Sequence, residues 1–171
     1  MADLIIEDGS GVEGANSYVS LDDAYLIAEN YGWTLPIDAE LANVALANGY
    51  SYLDTLEDAM SGERTYEDQT GSFPREGCYC GAFAVAENVI KNEVKRAQVR
   101  AAVTFGAGTE VNPDDDGKSI ASEEVVGAVK VSYFDNNKTG NSVVISEAIE
   151  FLKRCYLNKS SGGIQFNVYR G

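Results

Sequence analysis

The sequence predicts a mainly α-helical domain: a small bundle of about four helices with a β-hairpin insertion and extended N- and C-terminal arms. Apolar residues recur at helical spacing in four stretches, and they alternate at strand spacing mainly near residues 125–145. Segments rich in glycine flank the periodic part at both ends. We therefore expect one domain, with an arm at 1–19, a helical body at 20–157 and a hinged second arm at 158–171.

The chain begins with a short apolar stretch at residues 4–7, which predicts a strand that the segment GSGVEGANSYVS then ends. This segment, residues 9–20, resembles a phosphate-binding loop only in its glycines. It lacks the Gly-Lys-Ser/Thr ending, and its glycine spacing does not fit a dinucleotide fingerprint. A flexible arm or a set of turns is the better interpretation.

Two helices are predicted next. Ser20 is a good N-cap and Gly32 a good C-terminal stop, so the first helix should span about residues 21–31. The second should span about residues 38–56, with Gly49 as a weak point inside it.

The following stretch, residues 60–81, is polar and has no regular period, which predicts an extended loop. Residues 86–105 show the clearest helical period in the chain. This helix carries four of the 13 basic residues: Lys91, Lys95, Arg96 and Arg100. Such a stripe is either solvated, paired within the molecule or in contact with an acidic neighbour.

The rest of the chain predicts a hairpin, a helix and a terminal strand. A strand near residues 129–134 should pair with residues 141–145. Ser146 should cap a last helix over residues 147–157. Beyond a Ser/Gly hinge, Ile164, Phe166 and Val168 alternate, as in a strand that is free to pair with another chain.

The charge argues against free nucleic acid as a ligand. With 13 basic and 27 acidic residues, the formal net charge is −14, which repels phosphate backbones and anionic membrane surfaces. No apolar run approaches the length of a membrane span, and no basic-then-apolar leader is seen. We expect the protein to stay in cytosol-like surroundings without membrane contact.

The cysteines and the missing histidines argue against an enzyme. Cys78 and Cys80 are too close in sequence for normal disulfide geometry, and we expect all three thiols, including that of Cys155, to be reduced. The chain has no His, which removes the commonest general base and a frequent zinc ligand. We expect no catalytic residue, no metal site and no cofactor.

One acidic segment imitates a calcium loop. Asn112, Asp114, Asp116, Gly117 and Glu123 occupy the positions of ligands and turn in such a loop. Position one is Asn, a proline follows it, and a strand replaces the second helix. An acidic hairpin or an exposed loop is the preferred interpretation, and cation binding stays open.

Several segments together resemble the bacteriophage head-to-tail adaptor (connector) proteins, a family often labelled DnaT-like single-stranded-DNA-binding proteins. They are LIIEDGSGVEGANSYVSLDDAYLIAENYG, SFPREG, ENVIKNEVKRAQVRAA and VGAVKVSY. They occur in the family's order and cover most of residues 4–157.

The resemblance implies a structural virion protein of the capsid-tail neck, made in the host bacterial cytoplasm. Its copies would form a ring, typically of twelve, that binds the portal protein and the tail or neck proteins. DNA would pass through the channel without sequence-specific binding, and an acidic wall suits such passage. Single-stranded-DNA binding is the alternative function.

Two sets of residues are the predicted sites. The set expected at a subunit interface is Asn16, Ser17, Tyr18, Phe73, Pro74 and Arg75. The set expected in an arm that pairs with the portal or a neighbouring subunit is Ile164, Phe166, Val168 and Tyr169.

Overall fold

The structure, a computed structural model, describes residues 3–108, 123–125, 129–131 and 145–157. Four helices and one 3₁₀ turn lie in this part of the chain: α1 Leu21–Tyr31, α2 Ala39–Asp54, the 3₁₀ turn Glu57–Ala59, α3 Asn92–Gly106 and α4 Ser146–Lys153. Six short strands form three antiparallel pairs: β1 Glu63–Arg64 with β2 Arg75–Glu76, β3 Tyr79–Cys80 with β4 Phe83–Ala84, and β5 Glu123–Val125 with β6 Val129–Val131.

The prediction of a mainly α-helical bundle is wrong, because the described fold mixes helices with small antiparallel sheets and a disulfide. The predicted C-terminal arm, residues 158–171, lies outside the described residues. Helices α2 and α3 pack most extensively, and α4 packs on α3. The segment between α2 and α3, whose first part was predicted to be an irregular loop, contains two of the sheets and buries Phe73, Cys78 and Val85 in the core. Long-range contacts rather than a local period organise this segment.

The predicted extended N-terminal arm is also wrong over residues 3–19. Ile6 forms a parallel bridge with Ser17, so the segment folds back on itself. The buried Glu7 carboxylate accepts hydrogen bonds from the amides of Gly9, Gly11 and Val12, at 2.8, 3.0 and 2.7 Å. The glycines therefore wrap their backbone amides around a carboxylate of the same subunit.

The first predicted helix is confirmed, with both of its end signals. The Ser20 hydroxyl accepts from the Asp23 amide at 3.2 Å, and Gly32 adopts the left-handed conformation with φ 67°. The third helix begins at Asn92, later than predicted, because Lys91 adopts an extended conformation as its N-cap residue.

The last helix ends at Lys153, four residues earlier than predicted. The chain beyond it is held against residues 60–61: Ser61 donates its amide to the Tyr156 carbonyl at 2.6 Å, and Met60 bridges Leu157. The predicted cap is one residue off, since Ile145 is the N-cap residue and Ser146 is the first helical residue.

Residues 129–131 of the strand predicted near 129–134 form β6, which pairs with the upstream strand β5, and residues 132–134 lie outside the described part of the chain. Its predicted partner at 141–145 falls, except for Ile145, outside the described residues.

Helix α3 lies at the centre of the core. Val94, Ala97 and Ala101 belong to one apolar cluster, which also contains Tyr18, Phe73 and Tyr156. Val99 and Ala102 belong to a second cluster with residues of α1 and α2. Because α3 contributes to both clusters, it is buried on two sides. Its small side chains let neighbouring backbones come close.

Two of the three cysteines form a disulfide, Cys80–Cys155, which corrects the prediction of three reduced thiols. It joins the β3–β4 hairpin to the chain just after α4, across 75 positions in sequence. Cys78 remains a free, buried thiol whose pKa is raised by burial.

Candidate interaction surfaces

The structure brings the six predicted interface residues together inside one subunit. Ser17, Tyr18, Phe73, Pro74 and Arg75 are buried, and Asn16 is half-buried. The Tyr18 and Phe73 rings meet edge to face at 5.6 Å, and the Phe73 amide donates to the Tyr18 hydroxyl at 3.2 Å. These residues fasten the N-terminal segment to the loop before β2, and their contact with a neighbouring subunit stays a prediction.

Gln98, which the sequence reasoning missed, completes this internal junction. Its side-chain oxygen accepts from the Tyr18 amide at 2.8 Å, and its amide nitrogen donates to the Ser17 hydroxyl and the Leu46 carbonyl, both at 2.9 Å. Burial without these partners would be costly, so Gln98 fixes the N-terminal segment and α2 against α3. A polar residue on the apolar face of a helix was the available signal.

Arg75 organises the turn region around β1 and β2. Its buried guanidinium donates to the carbonyls of Ser61, Gly62 and Ser72 at 3.0, 2.9 and 3.1 Å. It also contacts Glu57 at 3.2 Å. These bonds give the arginine of the SFPREG segment a structural role within one subunit.

Glu57 and Asp54, beside this arginine, have pKa values displaced in opposite directions. The bond from Arg64, at 2.6 Å, is the main cause that lowers the pKa of Glu57. Burial raises the pKa of Asp54, although this carboxylate accepts from both the amide and the hydroxyl of Ser72. These are structural carboxylates, each with named partners.

The basic stripe of α3 is partly used inside the subunit. The buried Arg100 donates to the Glu147 carboxylate at 2.5 Å, and its guanidinium lies 5.4 Å from the Trp33 ring centre. Arg96 lies 5.7 Å from the Tyr31 ring centre. Of the alternatives that the sequence left open, pairing within the molecule is confirmed for Arg100.

Aromatic side chains next to this stripe stack on each other. Tyr31 and Trp33 are nearly parallel with centres 4.5 Å apart, and the Phe151 ring packs edge-on against both. Stacking of nucleic-acid bases needs free aromatic faces along a basic track. Here Trp33 already contacts Tyr31 and a guanidinium, so this cluster is a poor platform for bases.

An apolar groove lies beside the start of α2. Its volume is about 490 Å³, and none of the described residues that line it is charged. Its apolar lining includes Leu35, Pro36, Leu41, Val44 and Phe105. Leu41 is 61% exposed, and Ile37 in the preceding turn is 96% exposed. Exposed apolar surface of this kind is typical of a protein–protein contact.

A second apolar feature is the tip of the β3–β4 hairpin. Two residues, Gly81 and Ala82, connect the strands, and Gly81 has a φ of 68°, which favours glycine. Phe83 directly after the turn is 79% exposed, and Tyr79 is 60% exposed. The hairpin therefore presents two aromatic side chains to solvent.

Other predicted features give no site in the described part of the chain. No group of three or more side chains that could hold a metal ion occurs among the described residues. None of the helices described is long and apolar enough to span a bilayer. The calcium-like segment, apart from the backbone of Glu123, and the C-terminal residues Ile164, Phe166, Val168 and Tyr169 lie outside the described residues.

Comparison with known protein families places the chain in one of them. The model of the family described as "Putative DnaT-like ssDNA binding protein" matches residues 2–171. No curated protein and no solved structure matches the chain significantly.

Proposed function

The chain belongs to the DnaT-like family that its residues 2–171 match, and we propose that it acts as a structural adaptor subunit. In this proposal, copies of the chain form a ring beneath the portal of a phage capsid, join it to the tail and line the DNA exit channel. The ring, of about twelve copies, follows the resemblance of the glycine-rich, SFPREG and α3 segments to head-to-tail adaptors.

The observation that carries the proposal is uncharged, apolar surface on a strongly acidic chain. The groove beside α2 and the tip of the β3–β4 hairpin expose large apolar side chains, among them Leu41 and Phe83, although the net charge is −14. Such surface favours association with other protein chains. The acidic remainder favours the passage of DNA over its retention.

The test is assembly with the portal. The purified protein should bind portal rings of the same phage in pull-down, and electron microscopy of the mixture should show an added ring. Light scattering should give the number of copies. A protein that stays monomeric both alone and with the portal, and that is absent from the neck of purified particles, would contradict the proposal.

Single-stranded-DNA binding is the second candidate, favoured by the family's description. It would need a basic, aromatic track, for which Tyr31, Trp33 and Arg96 are the nearest arrangement among the described residues. Fluorescence anisotropy with a labelled oligonucleotide in moderate salt separates the candidates. Micromolar, salt-sensitive binding that Trp33→Ala weakens, and that Tyr66→Ala does not, would favour DNA binding over the adaptor.

A further inference from the structure

The β3–β4 hairpin is held in a defined position. Cys80 in β3 is bonded to Cys155 beyond α4, and the Val85 amide donates to the Cys78 carbonyl at 2.9 Å. Cys78 and Val85 are buried at the base, whereas the residues of the tip are exposed. A rigid element that presents an aromatic side chain loses little conformational entropy when that side chain is buried by a partner.

The groove beside α2 can accept an aromatic side chain. Pro36, Leu41, Val44 and Phe105 supply apolar walls, and Pro36 packs so closely on Gly106 that an added Cβ there would lie 2.8 Å from its ring. Its volume of about 490 Å³ lies within the range of pockets that bind organic groups. Among the described residues that line it, none belongs to the hairpin, so the two features are separate places on one chain.

The lack of charged side chains favours the hairpin of a second copy of the chain as the partner that fills the groove. Residues 77–86, GCYCGAFAVA, contain no charged side chain, and neither do the described residues that line the groove. Two copies that each carry a net charge of −14 repel one another, and burying a carboxylate between them would add a desolvation cost. Contact between these two features brings together residues that carry no charge, and the charged side chain that lies beside the hairpin, Arg154, is basic.

We infer that the hairpin tip of one copy inserts Phe83 into the groove of the next copy, beside Leu41 and Val44. The contact is head-to-tail, because different surfaces of the same chain meet. Contacts of this type produce closed rings when the rotation between subunits closes. The inference rests on the proposed ring and specifies the contact that would build it.

Two variants test the contact by complementation. Phe83→Asp removes the apolar side chain of the hairpin and keeps the groove intact. Leu41→Asp places a charge in the groove and keeps the hairpin intact. Both side chains are exposed, and an Asp in the first turn of α2 suits the helix dipole, so folding should be retained. The matched control is Leu26→Asp, which changes an exposed leucine of α1 outside the groove.

Sedimentation velocity should show that each groove or hairpin variant alone needs at least about tenfold more protein to assemble than the wild type, a loss of roughly 1.4 kcal/mol. The control should assemble as the wild type does. An equal mixture of the two variants should stop at the heterodimer, since it retains one intact contact.

A photo-crosslinking residue, p-benzoylphenylalanine, in place of Phe83 gives a second measurement. In mixtures of isotope-labelled and unlabelled chains, its crosslinks should join two copies and map to residues 34–48 or 105–108. Crosslinks to other segments, or variants that assemble like the wild type, would overturn the contact and leave the ring proposal standing. A wild-type chain that assembles neither alone nor on the portal would overturn both.

Discussion

Gln98 and Arg75 join segments that lie far apart in the chain, and each does so through a buried polar group with several partners. Gln98 connects Tyr18 and Leu46, and Arg75 holds the carbonyls around β1 and β2. Residue type alone could not predict either role. Gln98 is a polar residue within an apolar helical pattern, and that pattern does not reveal its partners. The acceptors of Arg75 are carbonyls whose positions depend on the fold.

A substitution of Glu57 tests the charge network that this residue forms with Arg64 and Arg75. Glu57→Gln should lower the free energy of unfolding at pH 7 by roughly 1–2 kcal/mol, because Arg64 and the buried Arg75 lose their anionic partner while solvent screens part of the effect. Urea unfolding measures the change. Glu63→Gln, an exposed neighbour in β1, is the control and should stay within about 0.5 kcal/mol.

The pH dependence has a defined sign. A lowered pKa in the folded state means that Glu57 stabilises the fold above its unfolded pKa, about 4.3, and that this contribution is lost as the pH falls through the folded value. The difference between wild type and Glu57→Gln should therefore shrink from about pH 4.5 downward. Asp54, whose pKa is raised, acts in the opposite direction in both proteins. A constant difference down to pH 3 would contradict this account.

At the scale of elements, local signals predicted some features and long-range contacts decided others. Helix α1 could be predicted because Ser20 and Gly32 act within one turn of its ends. The sheets between α2 and α3 could not, since they depend on Arg75 and on packing of Phe73 against Tyr18. The groove also escaped sequence reasoning, because its walls come from both α2 and the end of α3.

The close packing of α2 on α3 makes Gly49 a test of two opposing effects. Alanine is favoured over glycine in a helix by roughly 1 kcal/mol. At Gly49, however, an added Cβ would lie 2.6 Å from the Gln98 carbonyl oxygen and 3.0 Å from the Ala102 amide nitrogen, both backbone atoms. Gly49→Ala should destabilise the fold by about 1–3 kcal/mol in thermal or urea unfolding. Ser51→Ala, exposed on the same helix, should be nearly neutral; a stabilised Gly49→Ala would show that the helices can separate.

The disulfide supports the hairpin at the same scale. Cys80→Ser should lower stability by roughly 2–4 kcal/mol, because the reduced chain gains conformational freedom across the closed loop. Urea unfolding with and without a thiol reductant checks it. Reductant should bring the wild type to the variant's stability and leave the variant unchanged. A wild type that does not respond to reductant would contradict a contribution from this bond.

For the whole molecule, net charge separates the two candidate functions by the sign of their salt dependence. Copies with a net charge of −14 repel each other, so added salt should strengthen assembly by screening that repulsion. Binding of single-stranded DNA through basic side chains should instead weaken with salt, because counterions are released on binding.

We expect the concentration needed for assembly to fall when sodium chloride rises from about 50 to about 500 mM, as the Debye length shortens from more than 10 Å to a few Å. Sedimentation velocity and oligonucleotide anisotropy, measured across the same salt series, give both signs for one preparation. The Phe83→Asp variant should remain dissociated at the high-salt end, because it lacks the apolar anchor rather than the screening. Assembly that dissolves with added salt would mean that ion pairs, and not uncharged apolar surfaces, hold the copies together.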